Sequence, residues 1–208
     1  AEEVLWCKEL KAALRGQGVP LPDSDFLLAQ FAIISKGKTN EAVQRVQKYQ
    51  SVVVGEYGYS TETAMQQAQG FLNKKWPSLV LPSKFVIDGH PTTCWDYAQF
   101  LPSKMQGESE WIALIQEWLL TMDASCADLD EVRAGATFVG LCRGLGWKNF
   151  NLEMEKRAAV IYQDSYPLRY HQFYMVDAGP ILTAMMNICK VFLKEKLRKR
   201  MHTCKQKD

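Results

Sequence analysis

The chain has 208 residues, 47% of them hydrophobic, which is enough for one domain with a full core, or one domain with a small helical appendage. Twenty-five Lys and Arg against 23 Asp and Glu leave a net charge of only +2, so no global field favours nucleic acid. No N-terminal apolar leader and no apolar run of ~18 residues is visible, which predicts a soluble, cytosolic protein.

The first stretch reads as a helical lobe. Val4, Leu5, Leu10, Ala13 and Leu14 fall near helical spacing and predict a helix over Glu2–Leu14, ended by Gly16-Gln17-Gly18 and by Pro20 and Pro22. Asp23-Ser24-Asp25 offers N-cap side chains for a second helix, Phe26–Ile34. Lys36-Gly37-Lys38 is a turn. Thr39 is then the expected cap of Asn40–Val53, and Ser60 or Thr61 of Glu62–Lys74.

From Trp76 the pattern changes. Prolines punctuate two β-like pieces, Leu79–Ile87 and Thr92–Tyr97, separated by a turn at Asp88-Gly89-His90-Pro91. Ser109–Met122 is an amphipathic helix rich in Trp and Leu. Asp123, Asp128, Asp130 and Glu131 follow in an expected loop. Ala134–Cys142 is apolar enough for a buried strand. Leu152–Ser165 is a helix and Arg169–Asp177, aromatic and β-branched, a strand. Ala178-Gly179-Pro180 breaks the chain, with Pro180 set to open a helix. Ile181–Arg200 is predicted as one helix, apolar in its first half and cationic in its second. From Lys190 to Lys207 the bases are Lys190, Lys194, Lys196, Arg198, Lys199, Arg200, Lys205 and Lys207, with His202 when protonated, against Glu195 alone. The alternation of strands and helices predicts an α/β layer with largely parallel pairing.

Chemical motifs are scarce. Gly37-Lys38-Thr39 imitates the end of a phosphate-binding loop, but Ala32 stands where the first Gly is needed and no strand precedes it. Gly140, Gly144 and Gly146 have the wrong spacing for a dinucleotide site. The six cysteines form no CxxC or CxH pair, which speaks against zinc; Cys126, Cys142 and Cys189 lie in apolar segments and read as buried thiols. No acid–base or nucleophile constellation is present, so an enzyme is not expected. Arg169 and His171, at i and i+2 of a strand, share a face that binds an anion, is simply exposed, or is neutralised by Glu153 or Asp164.

The C-terminal third resembles the CRAL-TRIO family, which includes cellular retinaldehyde-binding protein and the α-tocopherol transfer protein. The resemblance is carried by Tyr166-Pro167-Leu168-Arg169, by Val176-Asp177-Ala178-Gly179-Pro180, and by Val191–Arg200 with its Phe-Leu, acid and basic run. Asp88–Pro91, Phe138–Gly144 and, more loosely, Asp25–Lys38 extend it along the chain. Departures stand at Leu141, where the family often has Asp, at Gln30, Ile33 and Ser35, where arginines are usual, and at Val191, where Pro is usual. The resemblance implies a helical lobe over 1–75 and a lipid-binding domain over 76–208. That domain would be a mixed, largely parallel sheet flanked by helices around a lipid pocket; a further departure is that the sequence stops at Asp208, before the family's final strand and its acidic, Gly-rich tail.

By that resemblance the protein binds one hydrophobic molecule and carries it between membranes, with helix 180–200 as the gate. The expected walls are Trp118, Met122, Phe138, Leu141, Phe173, Met175, Ile181, Met185, Met186, Ile188 and Phe192, since a lipid pocket needs flexible or aromatic side chains. Asp177 is expected either to orient a polar ligand end or to cap the next helix. Arg169, His171, Lys196 and Arg200 are the expected contacts to a phosphoinositide or anionic membrane surface, His171 standing where the family has Arg. The expected partners are a lipophilic ligand, retinoid-like, tocopherol-like or another lipid, and a transient anionic membrane surface, with no nucleic acid, no metal and no other cofactor. The alternative reading is phospholipid or phosphoinositide transfer, or a membrane-docking module that has lost transfer.

Overall fold

Three helices open the chain in the computed structural model, which describes residues 2–60, 62, 65 and 85–205. They are α1 (Glu2–Gly16), α2 (Asp25–Ile34) and α3 (Thr39–Lys48), the last running on as π-wound turns over Tyr49–Glu56. Ser24 caps α2 as expected: its Oγ accepts from the Leu27 N–H at 3.0 Å. Thr39 does not cap α3. Lys36 and Gly37 both turn at positive φ and bring the chain round early, so Thr39 is already helical and Lys38, without a side-chain cap bond, sits at the N-cap. The three helices pack on one another around Leu10, Leu14, Phe31 and Val46, each at most 1% exposed. The expected helix Glu62–Lys74, most of Leu79–Ile87 and the expected domain boundary at 75/76 lie outside the described residues.

Five strands form the sheet among the described residues: β1 (Phe85–Ile87), β2 (His90–Asp96), β3 (Ala136–Leu141), β4 (Tyr170–Val176) and β5 (Met201–Cys204), in that spatial order. β1 pairs with β2 antiparallel across a two-residue turn, and the other pairings are parallel. The turn is Asp88-Gly89, both at positive φ, which suits a tight hairpin. It is narrower than the sequence indicated, and β2 begins at His90. β5 was not legible in the sequence.

Helices α4 (Glu108–Ala124) and α5 (Leu129–Ala134) connect β2 to β3. Three of the four acids expected in a loop, Asp123, Asp130 and Glu131, are helical. Asp123 lies in the last turn of α4, and Asp128 is the N-cap of α5, accepting from the Asp130 and Glu131 amides at 2.9 and 2.8 Å. Helix α6 (Leu152–Val160), capped by Asn151, continues as π turns over Ile161–Ser165 before β4.

The largest correction falls on the last helix. Ile181–Arg200 is not continuous. Helix α7 spans Pro180–Cys189, a turn follows, and α8 is the short Glu195–Arg198 leading into β5. Gln163 holds the break open. Its amide donates to the Phe192 carbonyl at 3.1 Å and accepts from the Lys194 N–H, satisfying backbone groups that a continuous helix would have paired internally. The apolar half therefore covers the sheet while the cationic half turns back to its edge.

The helical lobe and the sheet domain share a core. Tyr166, 1% exposed, lies 6.1 Å from the Tyr49 ring, and the hydroxyls of Tyr59 and Tyr166 both donate to the Asp123 carboxylate. Burying aromatic rings of this kind contributes a few kcal/mol each, on the order of 25 cal/mol per Å².

Candidate lipid pocket and basic cleft

One face of the sheet carries Trp95, Phe138, Gly140, Phe173 and Met175, aligned by the register Trp95–Gly140–Met175 and Phe138–Phe173. Glycine at 140 is a steric requirement. A Cβ there would lie 2.6 Å from the Tyr97 ring and 2.9 Å from the Met175 sulfur. Tyr97 can therefore lie against the strand, and together with Met175 it lines a cavity between the sheet, α6 and α7.

The cavity has a free volume of about 100 Å³. Pockets for small ligands run to roughly 300–1,000 Å³. The cavity as it stands is smaller than those pockets. Leu182, Met185 and Cys189 of α7, spaced along one face, are buried and line the cavity, and Met186 joins them. Helix α6 and its π turns present Glu155, Ala158, Ala159 and Tyr162, spaced i, i+3, i+4 and i+7. Phe192, Leu193, Leu197 and Met201 close the side toward α8 and β5.

Of the residues expected to line a pocket, the structure brings Phe173, Met175, Met185 and Phe192, with Met186, to this cavity. Trp118, Met122 and Phe138 lie one layer deeper. Phe138 stacks on Phe173 at 5.3 Å, Trp118 lies 6.4 Å from Tyr162, and Met122 is fully buried. Leu141 pairs in register with Val176 on the opposite sheet face from Phe138 and Met175. Ile181 and Ile188 are 37% and 39% exposed on the outer side of α7, continuing to Val191 at 89%. Asp177 neither lines the cavity nor caps α7. Its carboxylate accepts from Arg143 at 2.9 Å, and Gly179 is the N-cap ahead of Pro180. The sequence missed Tyr97, Leu145, Glu155, Tyr162 and Leu182. The signal available for Glu155 and Tyr162 was the helical stripe they share with Ala158 and Ala159.

A second concavity, about 380 Å³, lies between the helical lobe and the C-terminal turns. It is lined by Lys36, Arg45, Arg133, Arg169, Lys194, Lys196 and Arg200 and by Glu41; Arg133 pairs with Glu3 and Asp130, and Lys194 with Asp164. Three of the four residues expected at an anionic surface, Arg169, Lys196 and Arg200, meet here. His171 does not. It lies where the β3–β4 register shifts between Ala136 and Thr137, and its ring stacks on His90 at 3.4 Å. Burial first, then His90, Arg200 and Arg169, pull its imidazole below the ordinary value. Glu153 and Asp164 do not neutralise Arg169. Glu153 faces Lys156 and Arg157, and Asp164 faces Lys48 and Lys194.

The cleft concentrates like charge. Burial and then Arg200, Lys36, Arg169 and Arg45 hold the Lys196 ammonium below its ordinary value, and burial and Arg169 do the same to Arg200. Arg45 donates to the Gln163 and Tyr166 carbonyls, Arg169 to the Arg133 carbonyl at 2.8 Å, and Arg200 to the Tyr170 carbonyl. Backbone oxygens thus orient these guanidinium groups without neutralising them. Lys36 and Arg45 supply from the helical lobe the charge that Gln30, Ile33 and Ser35 lack; those three are buried.

Among the described residues, no His, Cys, Asp and Glu side chains gather as a metal would require, and no helix is long and apolar enough to cross a membrane.

A mostly parallel sheet roofed by a helix over an apolar cavity, beside a basic cleft, makes this a mixed α/β module. The CRAL/TRIO domain pattern matches residues 84–208, and the chain belongs to that family, whose members bind lipids. Among solved structures, the crystal structure of Sfh5 superimposes with a TM-score of 0.63 at 14% identity, covering 97% of this chain and 80% of that one. At that identity the likeness speaks for the fold. No curated protein matches the sequence.

Proposed function

We propose that the protein binds one lipophilic molecule beneath α7 and carries it between membranes, docking through the basic cleft. The observation that carries this reading is the double-faced helix α7. One side, Leu182, Met185 and Cys189, seals an apolar cavity, while Ile181, Ile188 and the neighbouring Val191 are exposed on the other. Ile181, Ile188 and Val191 stand among the exposed Thr183, Asn187 and Lys190, an amphipathic outer side that suits the interface of a bilayer. Opening α7 exposes the cavity side as well, and contact with the membrane offsets that exposure. Lys190 adjoins Val191, and a base near an anionic surface contributes about 1 kcal/mol. Retinoid-like and tocopherol-like isoprenoids are the ligands favoured by the family resemblance.

A second reading, phosphoinositide transfer or docking without transfer, draws support from the cleft, which gathers more cations than the sequence indicated. The deciding experiment is native mass spectrometry and lipid extraction of the protein purified from its own source, followed by transfer of the recovered lipid between donor and acceptor vesicles. A bound isoprenoid that moves between vesicles supports the first reading. Flotation with phosphoinositide vesicles and no ligand transfer supports the second.

A further inference from the structure

The cavity beneath α7 is mostly apolar, and Glu155 brings a carboxyl to its lining. Glu155 lies on the α6 stripe that otherwise contributes Ala158, Ala159 and Tyr162 to the wall. Among the described residues, no hydrogen bond or ion pair reaches its carboxyl. The other charged or amide side chain of the lining, Asn149, is fully engaged: it donates to the Ala98 and Phe100 carbonyls at 2.9 and 2.7 Å and accepts from the Gly146 N–H at 2.9 Å. No Lys or Arg lines the cavity. Glu155 is half-buried in the cavity wall, and a ligand that drives water from the cavity leaves this carboxyl costly unless the ligand itself pairs with it.

Resting on the carrier reading above, we propose that Glu155 recognises the polar end of the ligand, and that this end is a hydrogen-bond donor, a hydroxyl or an ammonium, on an otherwise apolar chain. Carboxylate-ended lipids are disfavoured, because no cation in the cavity would offset two like charges. The titratable groups facing Glu155 are Tyr97 from the turn after β2, Tyr162 from the π turns after α6, and Cys189 from α7. All three are neutral near pH 7, since burial raises each of them. Loss of water around Glu155 pushes its carboxyl up to about 7. Its charge therefore changes near neutral pH, and with it the preference between an alcohol and an amine.

The test is competition against a neutral fluorophore seated in the pocket, using hexadecanol, hexadecylamine, methyl hexadecyl ether and palmitate on the whole chain. The alcohol and amine should bind at least about tenfold tighter than the ether, and palmitate most weakly. Glu155→Leu should erase that ranking while its thermal melt stays cooperative. In wild type the amine's affinity should rise as pH passes upward through about 7, as the carboxyl ionises, and in Glu155→Gln it should be flat. Equal potency of ether and alcohol, or a ranking that survives Glu155→Leu, overturns the assignment of Glu155 alone. Failure of the fluorophore and every amphiphile to bind overturns the carrier reading itself.

Discussion

Replacing Lys36 and Lys196 together with glutamine removes two cations from the basic cleft while keeping side-chain length. Both line the concavity, and Lys196 feels the repulsion of Arg200, Lys36, Arg169 and Arg45 after the effect of burial. Each base near an anionic headgroup contributes about 1 kcal/mol, so the double variant should lose about 2 kcal/mol, or ~30-fold in affinity. The assay is flotation with phosphatidylcholine vesicles doped with phosphoinositide at physiological salt, where exposed charges beyond ~8 Å are screened. Arg198→Gln is the control, an exposed cation of α8 outside the cleft lining. It should weaken binding by much less. Thermal stability should hold or rise in the double variant, because like-charge repulsion is relieved. A loss from Arg198→Gln as large as that from the double variant would refute a defined headgroup site and leave only diffuse attraction. A parallel loss of stability would refute the claim that these cations repel one another in the fold.

Other outcomes follow from the same geometry. Glu155 carries a folded-state pKa raised to about 7 from an ordinary 4.5, so between those values the folded state holds a proton that the unfolded chain has lost. Stability should fall as pH rises through that window and level off above it. Glu155→Gln should stabilise the unliganded protein by about 3 kcal/mol at pH 8 and hardly at all near pH 4, measured by urea unfolding. Gly140→Ala places a Cβ against the Tyr97 ring and the Met175 sulfur; it should cost roughly 1–3 kcal/mol and reduce ligand capacity, read by thermal melts and fluorophore titration. Tyr166→Phe removes a hydroxyl that donates to Asp123 in the joint between lobe and sheet, and should lower stability by roughly 1.5–3 kcal/mol in chemical denaturation.

Much of this architecture was legible because local chemistry decided it. Ser24, Pro180 and the apolar strand over Ala136–Leu141 each specify their element through neighbours a few residues away. The run Tyr166–Pro180 carried the family resemblance, and residues 84–208 match the CRAL/TRIO domain. β5 was not legible, since Met201-His202-Thr203-Cys204 is short and polar and becomes a strand only by pairing with β4. The same holds for the break after Cys189. A helix pattern extends through it, and the groups that stabilise the open backbone belong to Gln163, some 30 residues earlier.

The candidate site divides in the same way. Residue type along the chain determined that α7 is apolar, that the following segment is cationic, and that Arg169 precedes β4. Which face of α7 meets the cavity depends on rotation about its axis, and packing fixed that in favour of Leu182, Met185 and Cys189, leaving Ile181 and Ile188 outside. Strand parity put Leu141 on the far side of the sheet from Phe138. Convergence of Lys36 and Arg45 on Arg169, Lys196 and Arg200 joins positions more than a hundred residues apart. Periodicity and composition act over a turn or a strand, whereas charge density in a cleft and the solitude of Glu155 depend on what the whole chain brings together.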